Sequence, residues 1–226
     1  MRIVVARDPA DLAGQAAARI AGLIASSGRE RVSLGLAGGS TPRGTYERLR
    51  DQADIDWTRV DAWLSDERWV PPDHEDSNGL TARTALLDHV SAAFFAIPWG
   101  EGRPPQAAAE EYAATLTRIL GAAPDIVLLG MGDDGHTASL FPGTAALAET
   151  ERDYVANLVP GRGWRLTATL PLLHRTRHLI FLVAGRDKAS VLARVMDGEP
   201  LPSRLVAEGA EDVTWLVDEA AASALE

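Results

Sequence analysis

The residues with the clearest chemical potential are Asp134 and His136, in Gly130-Met131-Gly132-Asp133-Asp134-Gly135-His136-Thr137 directly after the apolar run Ile126 to Leu129. An imidazole two residues beyond a carboxylate on a glycine-rich loop suits a general base with a partner that orients or charges it. The plainer alternative is a capped turn with a solvent-facing histidine. The same segment satisfies G-x-G-x-x-G, the spacing of a dinucleotide site. Charge argues against that use. Asp133 and Asp134 stand where a pyrophosphate would approach the backbone, and Pro142 interrupts the helix that should supply the dipole.

Three other loops carry complementary chemistry. In Gly38-Gly39-Ser40-Thr41-Pro42, two glycines let the backbone approach an anion, and a following helix start offers unpaired N–H groups beside two hydroxyls. A tight turn with a Ser/Thr helix cap explains the same residues. The loop is neither a Walker loop nor a nucleophile elbow, because Gly-Lys-Ser/Thr is missing and Pro42 replaces the last glycine of G-x-S-x-G. In Ser65-Asp66-Glu67-Arg68-Trp69, paired carboxylates beside an arginine can orient hydroxyls and set each other's ionisation. The acidic loop that follows, Asp73 to Asn78 around His74, resembles a metal site by composition only and is read as solvated.

The last loop is basic. Arg165 opens a predicted strand, and Lys188 follows Leu179 to Val183 at a predicted helix start. A lysine there opposes the helix dipole unless an anion lies nearby, which favours a phosphate partner. Lys188 is also the only lysine among 22 basic residues, as expected where a compact ammonium is needed rather than a planar fork, or of a chance survivor of codon bias. For Arg165 alone, an edge-strand surface charge is an equal alternative.

Composition narrows the field. The chain has no cysteine, which removes thiolate nucleophiles, thiolate metal sites, iron–sulfur clusters and disulfides. Its net charge of −10 argues against nucleic acid or an anionic membrane as partner, so an anionic substrate needs a local basic pocket. No apolar run reaches the roughly 18 residues of a membrane span, and Met1 to Arg7 is too quickly interrupted by charge for a secretory signal, so a cytoplasmic location is expected.

The elements that must position these loops alternate short apolar runs with amphipathic stretches, the pattern of an α/β fold with a largely parallel sheet. Strands are predicted at Ile3–Ala6, Val32–Ala37, Asp61–Ser65, Ile126–Leu129, Leu179–Val183 and Thr214–Val217, with shorter ones at Phe94–Ile97 and Arg165–Thr169. Helices are predicted from Asp8-Pro9 to Gly28, and at Pro42–Arg50, Thr81–Val90, Gln106–Leu120 and Lys188–Met196. With 226 residues, 46% of them hydrophobic, and no repeat or long linker, one domain spanning 1–226 is expected. Ligands of open α/β sheets bind beyond the carboxyl ends of strands, where the four loops fall.

Taken together, these segments resemble the 6-phosphogluconolactonase family, in the wider group that includes glucosamine-6-phosphate deaminases. The matching pieces are Ala37 to Pro42, Asp66-Glu67-Arg68 with Val70-Pro71-Pro72, Asp76-Ser77-Asn78, Leu128 to Gly132, Asp134 to Gly143, Arg165-Leu166-Thr167, Leu170-Pro171 and the stretch around Lys188. Their order is the family's, and they span nearly the whole chain. The segment Thr137-Ala138-Ser139-Leu140-Phe141-Pro142 matches the lactonase version, where deaminases carry an Asn-Glu-Pro ending. A second rival, a sugar-phosphate sensor of a transcription regulator, should carry a DNA-binding helix pair and a basic face, which this sequence lacks. Departures are His174, Trp69 and Gly79, which bear on local pocket shape.

The resemblance implies a single-domain, three-layer αβα sandwich with a modified Rossmann-like, mostly parallel sheet, and no metal or organic cofactor. It implies a phosphorylated sugar lactone as substrate and hydrolysis to the open acid. Phosphate binding falls to Gly39, Ser40, Thr41, Arg165 and Lys188, with Gly38, Asn78 and Gly135 completing the substrate pocket. His136 and Asp134 stand at the reacting end with Arg68, Asp66 and Glu67. The expected assembly is a monomer or weak homodimer.

Overall fold

The structure is a computed structural model that describes all residues except Ala53 and Glu226. The chain runs β1 (Arg2–Ala6), α1 (Pro9–Ser26), β2 (Val32–Leu36), α2 (Ser40–Leu49), β3 (Val60–Leu64), β4 (Asp66–Arg68), α3 (Asn78–Ala85), β5 (Ala93–Phe95) and α4 (Pro105–Leu120). It continues through β6 (Ile126–Leu129), β7 (Tyr154–Val159), β8 (Gly163–Ala168), α5 (Leu170–His174), β9 (His178–Val183), α6 (Ala189–Met196), α7 (Pro202–Gly209), β10 (Val213–Asp218) and α8 (Glu219–Ala222). Seven strands form one parallel sheet in the order β1-β10-β9-β6-β2-β3-β5. A small antiparallel sheet, β4-β8-β7, stands beside it.

The near-continuous apolar strands follow from burial on both faces. Along β6, Val127 and Leu129 enter one core, and Ile126 and Leu128 the other. Strand β9 alternates likewise, Leu179, Phe181 and Val183 against Ile180 and Leu182. The first core gathers Tyr112 and Leu116 of α4 with Leu192 of α6 and Val206 of α7; the second gathers Leu12 and Ile20 of α1 with Tyr46 of α2 and Ala82 of α3. This is the expected three-layer sandwich. Phe181 and Trp215 stack at 3.8 Å across β9 and β10.

Asp8 caps α1 as predicted, its carboxylate accepting from the Asp11 amide at 2.8 Å. Several boundaries differ from the sequence expectation. Helix α3 begins at Asn78 rather than Thr81, because Ser77 caps it, and it ends at Ala85, before a 3-10 turn at Leu87–His89. Strand β5 covers Ala93–Phe95 rather than Phe94–Ile97, the length over which it pairs with Asp61–Trp63 of β3. Lys188 closes a 3-10 turn, Arg186–Lys188, and α6 starts one residue later. Strands β4 and β7 and helices α5, α7 and α8 have no counterpart in the sequence expectation.

The three departures have packing explanations. His174 Nε2 donates to the Leu205 carbonyl at 3.1 Å, and any Cβ at Gly209 would overlap its ring. Trp69 stacks at an angle on Trp99, centroids 6.4 Å apart. Gly79 lets its amide reach Glu67 Oε2 at 2.8 Å.

Candidate active site

The loops after β3, β2, β6 and β9 meet because these strands are neighbours in the parallel sheet and point the same way. They enclose a cleft of about 340 Å³ lined by Gly38, Gly39, Asp66, Arg68, Asn78, Gly130, Gly132, Asp133, His136, Arg162, Arg165 and Lys188. Among the predicted residues, the cleft therefore brings together the imidazole, the glycine turn and five of the expected polar groups, Asp66, Arg68, Asn78, Arg165 and Lys188, from distant parts of the chain.

At one end, His136 Nδ1 lies 2.5 Å from Asp134 Oδ1, and the His136 amide donates to the same oxygen at 3.0 Å. An ionised carboxylate only accepts, so this pairing puts the hydrogen on Nδ1 and leaves Nε2 free to take a proton. Burial pushes the Asp134 carboxyl up, but the two hydrogen bonds and the charge interaction with His136 outweigh it and hold it below the ordinary aspartate value. The imidazole is fixed from the sides. Phe141 stacks on it at 3.9 Å, and Gly132 passes so close that an added Cβ would overlap the ring.

The small sheet supplies the arginines of the cleft, and the turn before α6 supplies Lys188. Arg68 and Arg165 are directly opposed in the β4–β8 register. Like charges so placed repel unless an anion comes between them. Arg165 Nε is buried with no hydrogen-bond partner among the described residues. Burial first, then the charges of Arg68 and Arg162, pull its pKa below the ordinary arginine value, though a guanidinium stays protonated. Lys188 Nζ is 3.1 Å from the exposed carboxylate of Asp187, a local anion that offsets the unfavourable helix dipole.

Alternation along β4 decides what its two acids do. Asp66 and Arg68 share a face, and Glu67 points to the other. Asp66 Oδ2 accepts from Ser139 Oγ at 2.6 Å, and Asp66 Oδ1 accepts from Asn78 Nδ2 at 3.0 Å. Arg68 donates to Asn78 Oδ1 and to the Asp76 carbonyl. Ser139 also takes part through its amide, which donates to Thr167 Oγ1 at 3.1 Å, so the His136 loop is docked onto the β4–β8 face. Ala138, with φ of 47°, turns Ser139 inward for this contact.

Glu67 lies outside the cleft. Its carboxylate accepts from the amides of Arg68, Asn78 and Gly79 and from Ser77 Oγ, at 2.7 to 2.9 Å. It thereby holds the start of α3 against β4, a structural use of a residue expected at the reacting end. Burial raises its carboxyl against the pull of these donors. Replacing Glu67 with Gln turns one acceptor into a donor facing donors; a loss of about 2–3 kcal/mol is expected, measurable by urea unfolding.

Other expected residues are dispersed. Ser40 and Thr41 line a neighbouring groove with Gly44, Arg48 and Gly185, while Gly38 and Gly39 line the cleft itself. The amides of Gly38 and Gly39 donate to no protein group among the described residues, and Gly38 must be glycine because a Cβ would strike Asn78. Gly135 packs against Leu201 instead of the cleft, with φ of 77°. His74 turns away to accept from the Asp76 amide at 3.1 Å.

The sequence profile described as "Glucosamine-6-phosphate isomerases/6-phosphogluconolactonase" matches residues 7–215. The chain belongs to this family. The 6-phosphogluconolactonase of Nostoc sp. is 40% identical over 86% of the chain and 85% of its own length, and that of Mycobacterium leprae is 37% identical over 96% and 95%. The structure of 6-phosphogluconolactonase from Trypanosoma cruzi superposes with a TM-score of 0.91 at 30% identity, covering 99% of this chain and 96% of that one. In this member of the glucosamine-6-phosphate isomerase/6-phosphogluconolactonase family, sequence reasoning missed Arg162 in the cleft. Its signal was available: Tyr154-Val155-Ala156-Asn157-Leu158-Val159, then Pro160-Gly161, then Trp164 to Ala168, reads as strand, turn, strand.

Proposed function

We infer that the protein hydrolyses 6-phosphoglucono-δ-lactone to 6-phosphogluconate, as its relatives' names indicate for them. The observation that carries the chemistry is one cleft that holds both an Asp-oriented imidazole and a cross-strand arginine pair, Arg68 and Arg165, with no ion-pair partner among the described residues.

The lactone is an activated ester, so hydrolysis needs a placed water, a base and stabilisation of charge on the carbonyl oxygen. His136 Nε2 takes a proton from water as the water oxygen bonds to the carbonyl carbon. Asp134 keeps the ring in the right tautomer and stabilises its charged form. Arg68 and the free amides of Gly38 and Gly39 polarise the carbonyl. The carbon–oxygen bond of the ring then breaks, its electron pair stays on the ring oxygen, and His136 returns the proton there. The new carboxylic acid ionises to solvent. Arg165 and Lys188 hold the distal phosphate, and this remote grip orients the reacting centre. No metal or organic cofactor enters these steps. The segment 137–142 favours this reaction over the deaminase alternative.

The partner is a small phosphorylated lactone, with no nucleic acid or membrane involved, in a cytoplasmic protein acting as one unit over 1–226, a monomer or weak homodimer. No helix among the described residues is long and apolar enough to cross a membrane. The test is acid release from freshly made phosphorylated lactone against the unphosphorylated one, corrected for spontaneous opening. Strong preference for the phosphorylated substrate is expected, and Lys188→Ala should raise KM roughly tenfold with kcat little changed. Equal rates on both lactones would sink the reading.

A further inference from the structure

The tip of the hairpin between β7 and β8 carries Arg162 between Gly161 and Gly163, whose φ values of 73° and 76° suit glycine. The Arg162 amide donates to the Val159 carbonyl at 3.0 Å, closing the turn. Its side chain makes no ion pair or hydrogen bond among the described residues, yet it lines the reaction cleft. The guanidinium carbon sits 5.5 Å from the centroid of the Phe141 ring, and that ring stacks on His136. Arg162 is thus a cation held over the ring that stacks on the imidazole, in the same cleft as Arg68, Arg165 and Lys188.

Arg165 and Lys188 already serve the phosphate dianion and Arg68 the carbonyl, which leaves Arg162 without a role. The proposed reaction, however, changes the charge of its ligand: a neutral ester becomes a carboxylate, and the new charge appears on the two oxygens of the carbon that water attacks, at the His136 end. We propose that Arg162 forms a carboxylate subsite for the ring-opened acid, distinct from the phosphate grip. Arg–carboxylate pairing is charge-assisted and planar, and Arg162 lines the same cleft as the imidazole at which the charge arises. Because that charge develops as the carbonyl oxygen accepts electrons, the same contact stabilises the transition state. This rests on the lactone-hydrolysis reading.

The test compares two ligands that share a phosphorylated six-carbon chain. 6-Phosphogluconate has the carboxylate; glucose 6-phosphate lacks it. Inhibition constants of both are measured against lactone hydrolysis by the whole chain, for wild type, Arg162→Gln and Arg162→Lys, with melting temperatures as a fold check. In Arg162→Gln the constant for 6-phosphogluconate should rise roughly tenfold and that for glucose 6-phosphate less than about twofold. Arg162→Lys should recover part of the loss. Equal weakening of both ligands would make Arg162 a general anion attractor, and no change in either would make it a bystander on the hairpin; each result overturns the subsite. Wild-type protein that fails to open the lactone would overturn the underlying reading as well, a result separate from hydrolysis that proceeds with an unaltered acid constant.

Discussion

His136→Ala lowers kcat by a factor of about 10²–10⁴ while leaving the affinity for phosphorylated ligands within about twofold. The expected size is that of removing a positioned general base, because the two carboxylates tied into the hydrogen bonds around it are not free to replace it. Asp134 is committed to Nδ1 of the same ring, and Asp66 is committed to Ser139 and Asn78. Binding should survive because Arg165 and Lys188 come from β8 and the turn before α6, neither of which depends on the imidazole. Steady-state kinetics with an equilibrium titration of glucose 6-phosphate checks both halves. Near-normal turnover would remove His136 from the base role, and a parallel collapse of binding would recast it as a structural residue. The carboxylate partner is robust to mild acid. With its pKa below the ordinary value, the contribution Asp134 makes to the folded state is present above that value and is lost only as pH falls through the depressed one.

Gly132→Ala has a comparable effect by a different route. An added methyl would occupy the space of the imidazole, so the ring must leave Asp134 and Phe141 or the loop must shift. Overpacking of this kind costs about 1–3 kcal/mol of stability, which this fold should tolerate, but a displacement near 1 Å at the reacting centre can cost about 10²-fold in rate. Turnover should therefore fall by about two orders of magnitude in a protein that still melts cooperatively and still binds phosphate ligands. Normal kcat in Gly132→Ala would show that the imidazole does not need its present position. Pairing the variant with His136→Ala sharpens the result: the double variant should be scarcely slower than His136→Ala, because both remove the same base.

The elements that position these groups were legible wherever their signal was local. Period-2 burial on both faces leaves continuous apolar runs, and Ile126–Leu129 and Leu179–Val183 lie within observed strands β6 and β9. Helix starts with a capping side chain were equally plain at Asp8. The hairpin tip with Arg162 was missed because β7 and β8 belong to a small sheet outside the α/β alternation, and its turn signal was not read as one. Glu67 was misplaced for a related reason. Without knowing that Asp66–Arg68 is a strand, nothing separated the face of Asp66 and Arg68 from that of Glu67, and adjacent acids looked like a chemical pair.

The sequence by itself determined the local chemistry: a histidine tied to an aspartate two residues away, glycines where the backbone must come close, and loops at strand ends where an α/β sheet gathers ligands. Those features depend on bonds and contacts within a few residues. Tertiary structure decided which charges face one another. Arg68 opposes Arg165 only through the β4–β8 register, Ser139 reaches Asp66 across 73 positions, and Arg162 joins the cleft only because its hairpin folds over Phe141. Register and docking between distant segments are set by how whole faces bury, so the electrostatics of the cleft, and with it the expected grip on an anion at each end, emerges only once the layers are packed.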